Sequence, residues 1–177
     1  MNLTFAQPDS AMLAKIMAWH ADEDLNMWVG AGKGAPGVAL ARQTLFQLAV
    51  NPPPGARFLV ALADDEPVAH VVFSNISDLH RTGEVHLTVD PRRHRQGIGG
   101  EVLRLALERA FESGLYRIEF NPIQGNRAAI ALAESVGFIL EAIMKSSIWI
   151  LGSGPRNQAL YRITRPEWER LQQRKAS

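Results

Sequence analysis

The residues from Gly83 to Ala110, GEVHLTVDPRRHRQGIGGEVLRLALERA, constrain the fold more than any other stretch. GEVHLTV alternates in character and predicts a strand. Its Glu84, His86 and Thr88 then share one face, with Val85, Leu87 and Val89 on the other. The glycines at 97, 99 and 100 interrupt that pattern. Beyond them Leu103, Ala106, Leu107 and Ala110 recur at helical spacing, which predicts a helix from Gly100 to Ser113 ended by Gly114. A second strand–helix passage follows, YRIEF and then NRAAIALAESVGF, with Asn126 as N-cap. Two such passages in a chain otherwise rich in strands predict an α/β fold, a mixed central β-sheet flanked by helices.

The rest of the chain fits that frame. NLTF reads as a first strand, and Ser10 is placed to cap a helix carrying Leu13, Ile16 and Met17. GAGKGAPG reads as a loop, and VALARQTLFQLAV as a helix stopped by Pro52 to Pro54. RFLVALADDEPVAHVVFSNIS predicts two strands about a turn at Asp64 to Pro67. ILEAIMKSSIWI and QALYRIT predict a hairpin across GSGPRN, and PEWERLQQ a closing helix with Pro166 near its start. No repeat or internal boundary is evident, so residues 1–177 are expected to form one domain.

The glycine turn suggests a ligand. The first N–H groups of a helix lack intrahelical partners, and the helix dipole favours an anion beside them. Arg93 and Arg95 can add charge-assisted contacts, and a pyrophosphate suits the arrangement. The plain alternative is a structural turn beneath a solvated basic face. Two nucleotide motifs fit poorly. Lys33 is followed by Gly34 rather than Ser or Thr, unlike a P-loop. Gly97-x-Gly99 lacks the third glycine of a dinucleotide fingerprint, which disfavours a nucleotide-dependent oxidoreductase. A net charge of +1 is too balanced for a general nucleic-acid binder. With 46% hydrophobic and 21% charged residues the chain is globular. It has no cysteine, which removes thiolate chemistry and Cys-based metal sites, and no metal site is expected. No run approaches the roughly 18 apolar residues of a membrane span, and the first residues lack a secretory pattern, so a cytoplasmic protein is expected.

VDPRRHRQGIGGEVLRLALERA followed by NRAAIALAESVGF resembles the GNAT family of N-acetyltransferases, in particular the branch that acetylates ribosomal-protein amino termini. The likeness is strongest over residues 57–148, and ALYRITRPEWERL is similar to that branch's ending. The resemblance implies acetyl-CoA as acyl donor. It implies main-chain contacts to the cofactor arm along Leu87, Thr88 and Val89. It implies a pyrophosphate cradle over Arg95, Gln96, Gly97, Ile98, Gly99 and Gly100, and further cofactor contacts from Asn126 and Ala129. His94 stands three before Gly97, where the family usually has Arg or Gln. Ala133 stands where many members carry a tyrosine that protonates the departing thiolate.

Direct attack by a primary amine in a ternary complex needs a group to take the amine's proton. Glu84 is the first candidate and His86 the second, both on the strand that would line the cleft. Trp19, Trp28, Phe46, Phe73 and Trp149 are candidates to shape the acceptor region, and Asp22, Glu23 and Asp24 to attract a cationic amine. Either a protein amino terminus or a small molecule would serve as acceptor, and the family resemblance is compatible with a homodimer. The competing reading is an acyl-CoA-binding or regulatory domain without catalysis.

Overall fold

The computed structural model describes residues 2–176. Seven strands form one sheet: β1 (Leu3–Ala6), β2 (Arg57–Ala63), β3 (Glu66–Ser77), β4 (Thr82–Val89), β5 (Arg117–Phe120), β6 (Ile139–Ile150) and β7 (Gly154–Thr164). Their order is β1-β2-β3-β4-β5-β7-β6. Every neighbouring pair is antiparallel except β4 and β5. The expected mixed sheet is therefore present. The last hairpin enters it with β7 inward against β5, which leaves β6 at the edge. The turn joining β2 to β3 is tighter than expected. Asp64 and Asp65 both take positive φ, 50° and 63°, and β3 resumes at Glu66. Short polar residues tolerate that conformation, which matches the twist of paired strands.

Among the described residues six α-helices cover the sheet: α1 (Ser10–Trp19), α2 (Glu23–Trp28), α3 (Gly34–Val50), α4 (Ile98–Glu112), α5 (Arg127–Val136) and α6 (Arg165–Ala176). Asp9, not Ser10, caps α1, its carboxylate accepting from the Met12 N–H at 2.7 Å. The acidic segment forms α2, with Asp22 accepting from the N–H groups of Asp24 and Leu25. Helix α3 begins at Gly34, so the second half of the expected GAGKGAPG loop is helical. Packing explains this: a Cβ on Gly37 would lie 2.1 Å from the Gly32 carbonyl oxygen. Only glycine lets the helix start press so close to the preceding loop.

The two faces of the sheet carry separate cores. Leu13, Ile16 and Trp19 of α1 and Leu45 of α3 pack on Phe58, Val60, Leu62 and Val72. On the opposite face Val102, Leu103, Ala106 and Leu107 of α4 meet Val71, Phe73, Val85 and Ile118. The helical stripe read from the sequence is the buried one, since Leu103, Ala106 and Leu107 are fully buried and Ala110 nearly so. Burying each leucine contributes roughly 1.5–3 kcal/mol. Helices α5 and α6 complete this second core through Ala133, Val136 and Trp168. Among the described residues no helix is long and apolar enough to cross a membrane.

Candidate active site

Strands β4 and β5 pair for only three residues, Thr82 with Arg117, Gly83 with Ile118 and Glu84 with Glu119. Beyond Glu84 the strands part, while β4 stays paired with β3 as far as Val89. The Asp90 N–H bonds the Val68 carbonyl at 2.9 Å, on the β3 side. Main-chain groups alternate in direction along a strand. Those of Thr88 and His86 therefore point to β3, and those of Leu87 and Val89 point into the gap. The side chains follow the expected alternation. Leu87 and Val89 pack with the α4 core. Glu84, His86 and Thr88 stand opposite Ser74, Val72 and His70 on the other face.

At the end of β4 the chain turns through a short helical turn, Pro91–Arg93, into α4. Asp90 is buried and holds Arg92, accepting from its main-chain N–H at 3.0 Å and from Nη2 at 2.7 Å. Burial alone would raise the Asp90 pKa. The Arg92 contacts outweigh it and hold the carboxyl below its ordinary value. His94 Nε2 donates to the Val89 carbonyl at 3.2 Å, and Gln96 Nε2 donates to the Arg92 carbonyl at 3.4 Å. Of the basic quartet, Arg92 and His94 thus brace the turn itself. Arg93 and Arg95 make no ion pair among the described residues.

Arg95 and Gly97 both take positive φ, 63° and 81°. Such residues turn successive N–H groups to one side and form anion-binding concavities. Ile98 and Gly99 open α4, so their N–H groups have no intrahelical acceptor. A Cβ on Gly97 would meet nothing within 4 Å. Space is therefore open before the helix, as a bound pyrophosphate requires. The Ile98 side chain is buried in the α4 core, so only its main chain faces the turn.

A cavity of about 420 Å³ lies between the splayed strands and helices α2 and α3. At the gap it is bounded by Leu87, Thr88, Asn126 and Ala129. Asn126 caps α5 as expected, its Oδ1 accepting from the Ala129 N–H at 3.1 Å. Its Nδ2 remains for another acceptor. Buried His20 and His70, half-buried Ser74 and exposed His86 also line the chamber. His86 Nε2 lies 2.8 Å from Ser74 Oγ and 3.6 Å from Glu84 Oε1. Glu84 is the more enclosed of the pair, at 15% side-chain exposure against 51% for His86. It accepts from Asn75 Nδ2 at 3.2 Å and does not line the cavity.

His20 and His70 are buried residues that the sequence reading did not single out. His70 stacks on Phe58 at 5.2 Å, and neither of its ring nitrogens has a hydrogen-bond partner among the described residues. Burial pushes its pKa down to about 3, with His20 and His86 adding to the effect. His20 is also lowered, chiefly by burial, although its Nδ1 meets Asn26 Oδ1 at 2.8 Å. Both rings are neutral near pH 7.

Several expected contributors lie elsewhere. Of the five aromatic candidates only Trp28 lines the cavity. Trp19 and Phe73 are core residues, and Phe46 and Trp149 are exposed. Asp22 is occupied as the α2 cap, and Asp24 accepts from Lys33 at 2.8 Å. Ala133 is fully buried, and no phenol replaces the absent one. The Tyr161 hydroxyl donates to Glu134 Oε1 at 2.9 Å outside the cavity, where burial and then Glu134 raise its pKa.

A gap between parallel strands, bounded at one end by a glycine-led helix start and at the other by a chamber, leaves room for an extended ligand. Comparison by sequence places the chain more closely. The model of the GNAT acetyltransferase family matches residues 13–138, and the chain belongs to that family. No curated protein matches the sequence. Similar solved structures share the fold at low identity. Spermidine N-acetyltransferase from Vibrio cholerae, in complex with CoA and spermine, superposes with a TM-score of 0.77 at 18% identity, over 94% of this chain and 98% of that one. Ribosomal-protein-S5-alanine acetyltransferase from Vibrio fischeri gives 0.75 at 20% identity, over 95% and 96%. Mycobacterium smegmatis RimJ, in complex with CoA-disulfide, gives 0.80 at 20% identity, over 93% and 83%.

Proposed function

We propose that the protein transfers an acetyl group from acetyl-CoA to a primary amine by direct attack in a ternary complex. The observation that carries this reading is the splay after Glu84, which joins the G-x-G turn to the chamber holding His86. In it the main-chain N–H groups at the start of α4, with Arg93 and Arg95, hold the pyrophosphate. Leu87 and Val89 hold the arm through the gap, and Asn126 Nδ2 meets it from α5. Acetyl-CoA supplies the thioester. The amine nitrogen bonds to its carbonyl carbon as the C–S bond breaks, and the sulfur leaves with the bonding pair.

The cavity position favours His86 over Glu84 as the group that accepts the amine's proton. Glu84 and Ser74 then act as positioning residues at Nε2, which leaves Nδ1 toward other partners. With alanine at 133, the thiolate takes its proton from water. A main-chain N–H in the gap stabilises the oxygen as it gains charge, a contribution of several kcal/mol in comparable sites. Holding amine and thioester together supplies much of the remaining acceleration.

The test has two arms. Calorimetric titration with acetyl-CoA, NADH and ATP should give binding of the first alone. Mass spectrometry of peptides and small amines incubated with protein and acetyl-CoA should then find a singly acetylated product. Binding of NADH or ATP instead would discard the reading. Binding of acetyl-CoA with no acetylated product in a broad set would leave the non-catalytic alternative.

A further inference from the structure

We infer that the acceptor is a small primary amine with an apolar, uncharged body, an alkylamine or arylalkylamine, and neither a polyamine nor a peptide terminus. This rests on the acyl-transfer reading above. It comes from what the chamber contains and from how its rim is closed.

Leu45, Leu48 and Ile148 line the chamber together with Trp28, Val29 and Leu40, the last three half-exposed. Among the described residues no Asp, Glu, Lys or Arg lines the cavity. Its ionisable lining groups are His20, His70 and His86, and the two deeper ones are neutral near pH 7. A second ammonium carried past the reacting nitrogen would meet leucines, neutral imidazoles and the amides of Asn121 and Gln158, with no carboxylate to pair it. An unpaired buried charge is strongly disfavoured. None of the neighbouring carboxylates lines the cavity: Asp22 caps α2, Glu23 is exposed in its first turn, Asp24 pairs with Lys33, and Glu84 sits behind His86. An alkyl chain or aromatic ring loses nothing in the same place and gains from leaving water.

The rim limits the acceptor's size. The loop between α2 and α3 is pressed onto the end of β6 and the residue beyond it. A Cβ on Gly30 would lie 2.8 Å from Ile148 Cδ1, and one on Gly32 would lie 2.4 Å from the Leu151 carbonyl oxygen. Two glycines thus let the helix connection press against the Ile148 side chain and the Leu151 main chain. Those contacts narrow that side of the chamber against a continuing peptide backbone. The cavity of about 420 Å³ also lies toward the small end of ligand pockets, which run roughly 300–1,000 Å³.

The decisive comparison is hexylamine against 1,6-diaminohexane, which present the same nucleophile and reach and differ in the second charge. Phenethylamine, spermidine and an alanine-initiated peptide complete the set. With CoA release as readout, hexylamine and phenethylamine should exceed the diamine and spermidine in kcat/KM by about tenfold or more, a specificity set by a buried charge rather than a methylene. Leu40→Glu, at a half-exposed lining position, should narrow or invert the hexylamine-to-diamine ratio. A thermal melt establishes that the variant is folded. If it is not, the wild-type ratio decides alone. Equal or better turnover of the diamine, spermidine or the peptide would overturn the inference and leave acetyl transfer intact. Acetyl-CoA binding with no turnover of any amine would overturn both.

Discussion

Replacing His70 with leucine should remove an acid sensitivity from the fold. The imidazole is fully buried, between Phe58 at 5.2 Å and Trp19 at 6.3 Å, with both nitrogens unpartnered among the described residues. Burial first, then the His20 and His86 charges, holds its pKa near 3 against 6.5 for a free histidine. Below pH 6.5 the unfolded chain takes up a proton at this position that the folded chain refuses. Stability therefore falls as pH falls, by about 1.4 kcal/mol per pH unit between the two pKa values. From about pH 7.5 to 5.5 this one residue costs about 1.4 kcal/mol, and about 2.7 by pH 4.5. His20, buried beside Asn26 and near Arg42, is lowered too and adds a loss of the same sign. Carboxylates lowered by their cations, such as Glu66 beside Lys15, weaken the fold only below about pH 4.5, so the range above pH 5 isolates the histidines. Urea denaturation of wild type and His70→Leu at pH 7.5, 6.5 and 5.5 gives the slopes. The variant should lose distinctly less on acidification. At pH 7.5 it should match wild type within about 1 kcal/mol, because leucine leaves no unpaired nitrogen but forfeits the ring stacking. An unchanged slope, or a loss above about 3 kcal/mol at pH 7.5, would refute a buried neutral ring.

Two further outcomes are expected. Gly97→Val should weaken CoA binding by roughly tenfold or more, because φ 81° and the open space before α4 both suit glycine, and calorimetric titration reads this directly. His86→Gln should lower kcat of acetyl transfer by about a hundredfold, with Glu84→Gln and Ser74→Ala milder, as expected when His86 takes the proton and the other two hold its ring. A larger loss in Glu84→Gln than in His86→Gln would reverse those roles. Complete loss in Ser74→Ala, with binding retained, would point to a covalent route.

Local chemistry made part of this structure readable in advance. The α4 stripe, the alternation along β4 and the Asn126 cap each depend on residues adjacent in the chain, and each is present as expected. Where two neighbouring residues could do the same work, as Asp9 and Ser10 at the α1 start, sequence had no means to choose. The GAPG segment misled for a different reason. Its glycines suggest a loop, but they serve to start α3 hard against Gly32, a tertiary contact that local propensity does not encode. His70 was hidden within VAHVV, where a single histidine in an apolar strand carries no period that points to a chamber. Glu84 and His86 sit two residues apart and look equivalent in the alternation. Only the position of the cavity separates the one that lines it from the one behind.

The three-residue pairing of β4 with β5 has a consequence for the protein as a physical object. Between Val85 and Val89 strand β4 lacks a neighbour on its β5 side, so two parts of the sheet are joined by a short parallel seam. A ligand whose amide groups run along that edge acts as a borrowed strand and extends the seam. Heat and denaturant resistance should then track the donor's concentration, by about 2.7 kcal/mol at a hundred times its Kd. If the proposed acyl donor is that ligand, its depletion would leave the molecule less cohesive as well as idle.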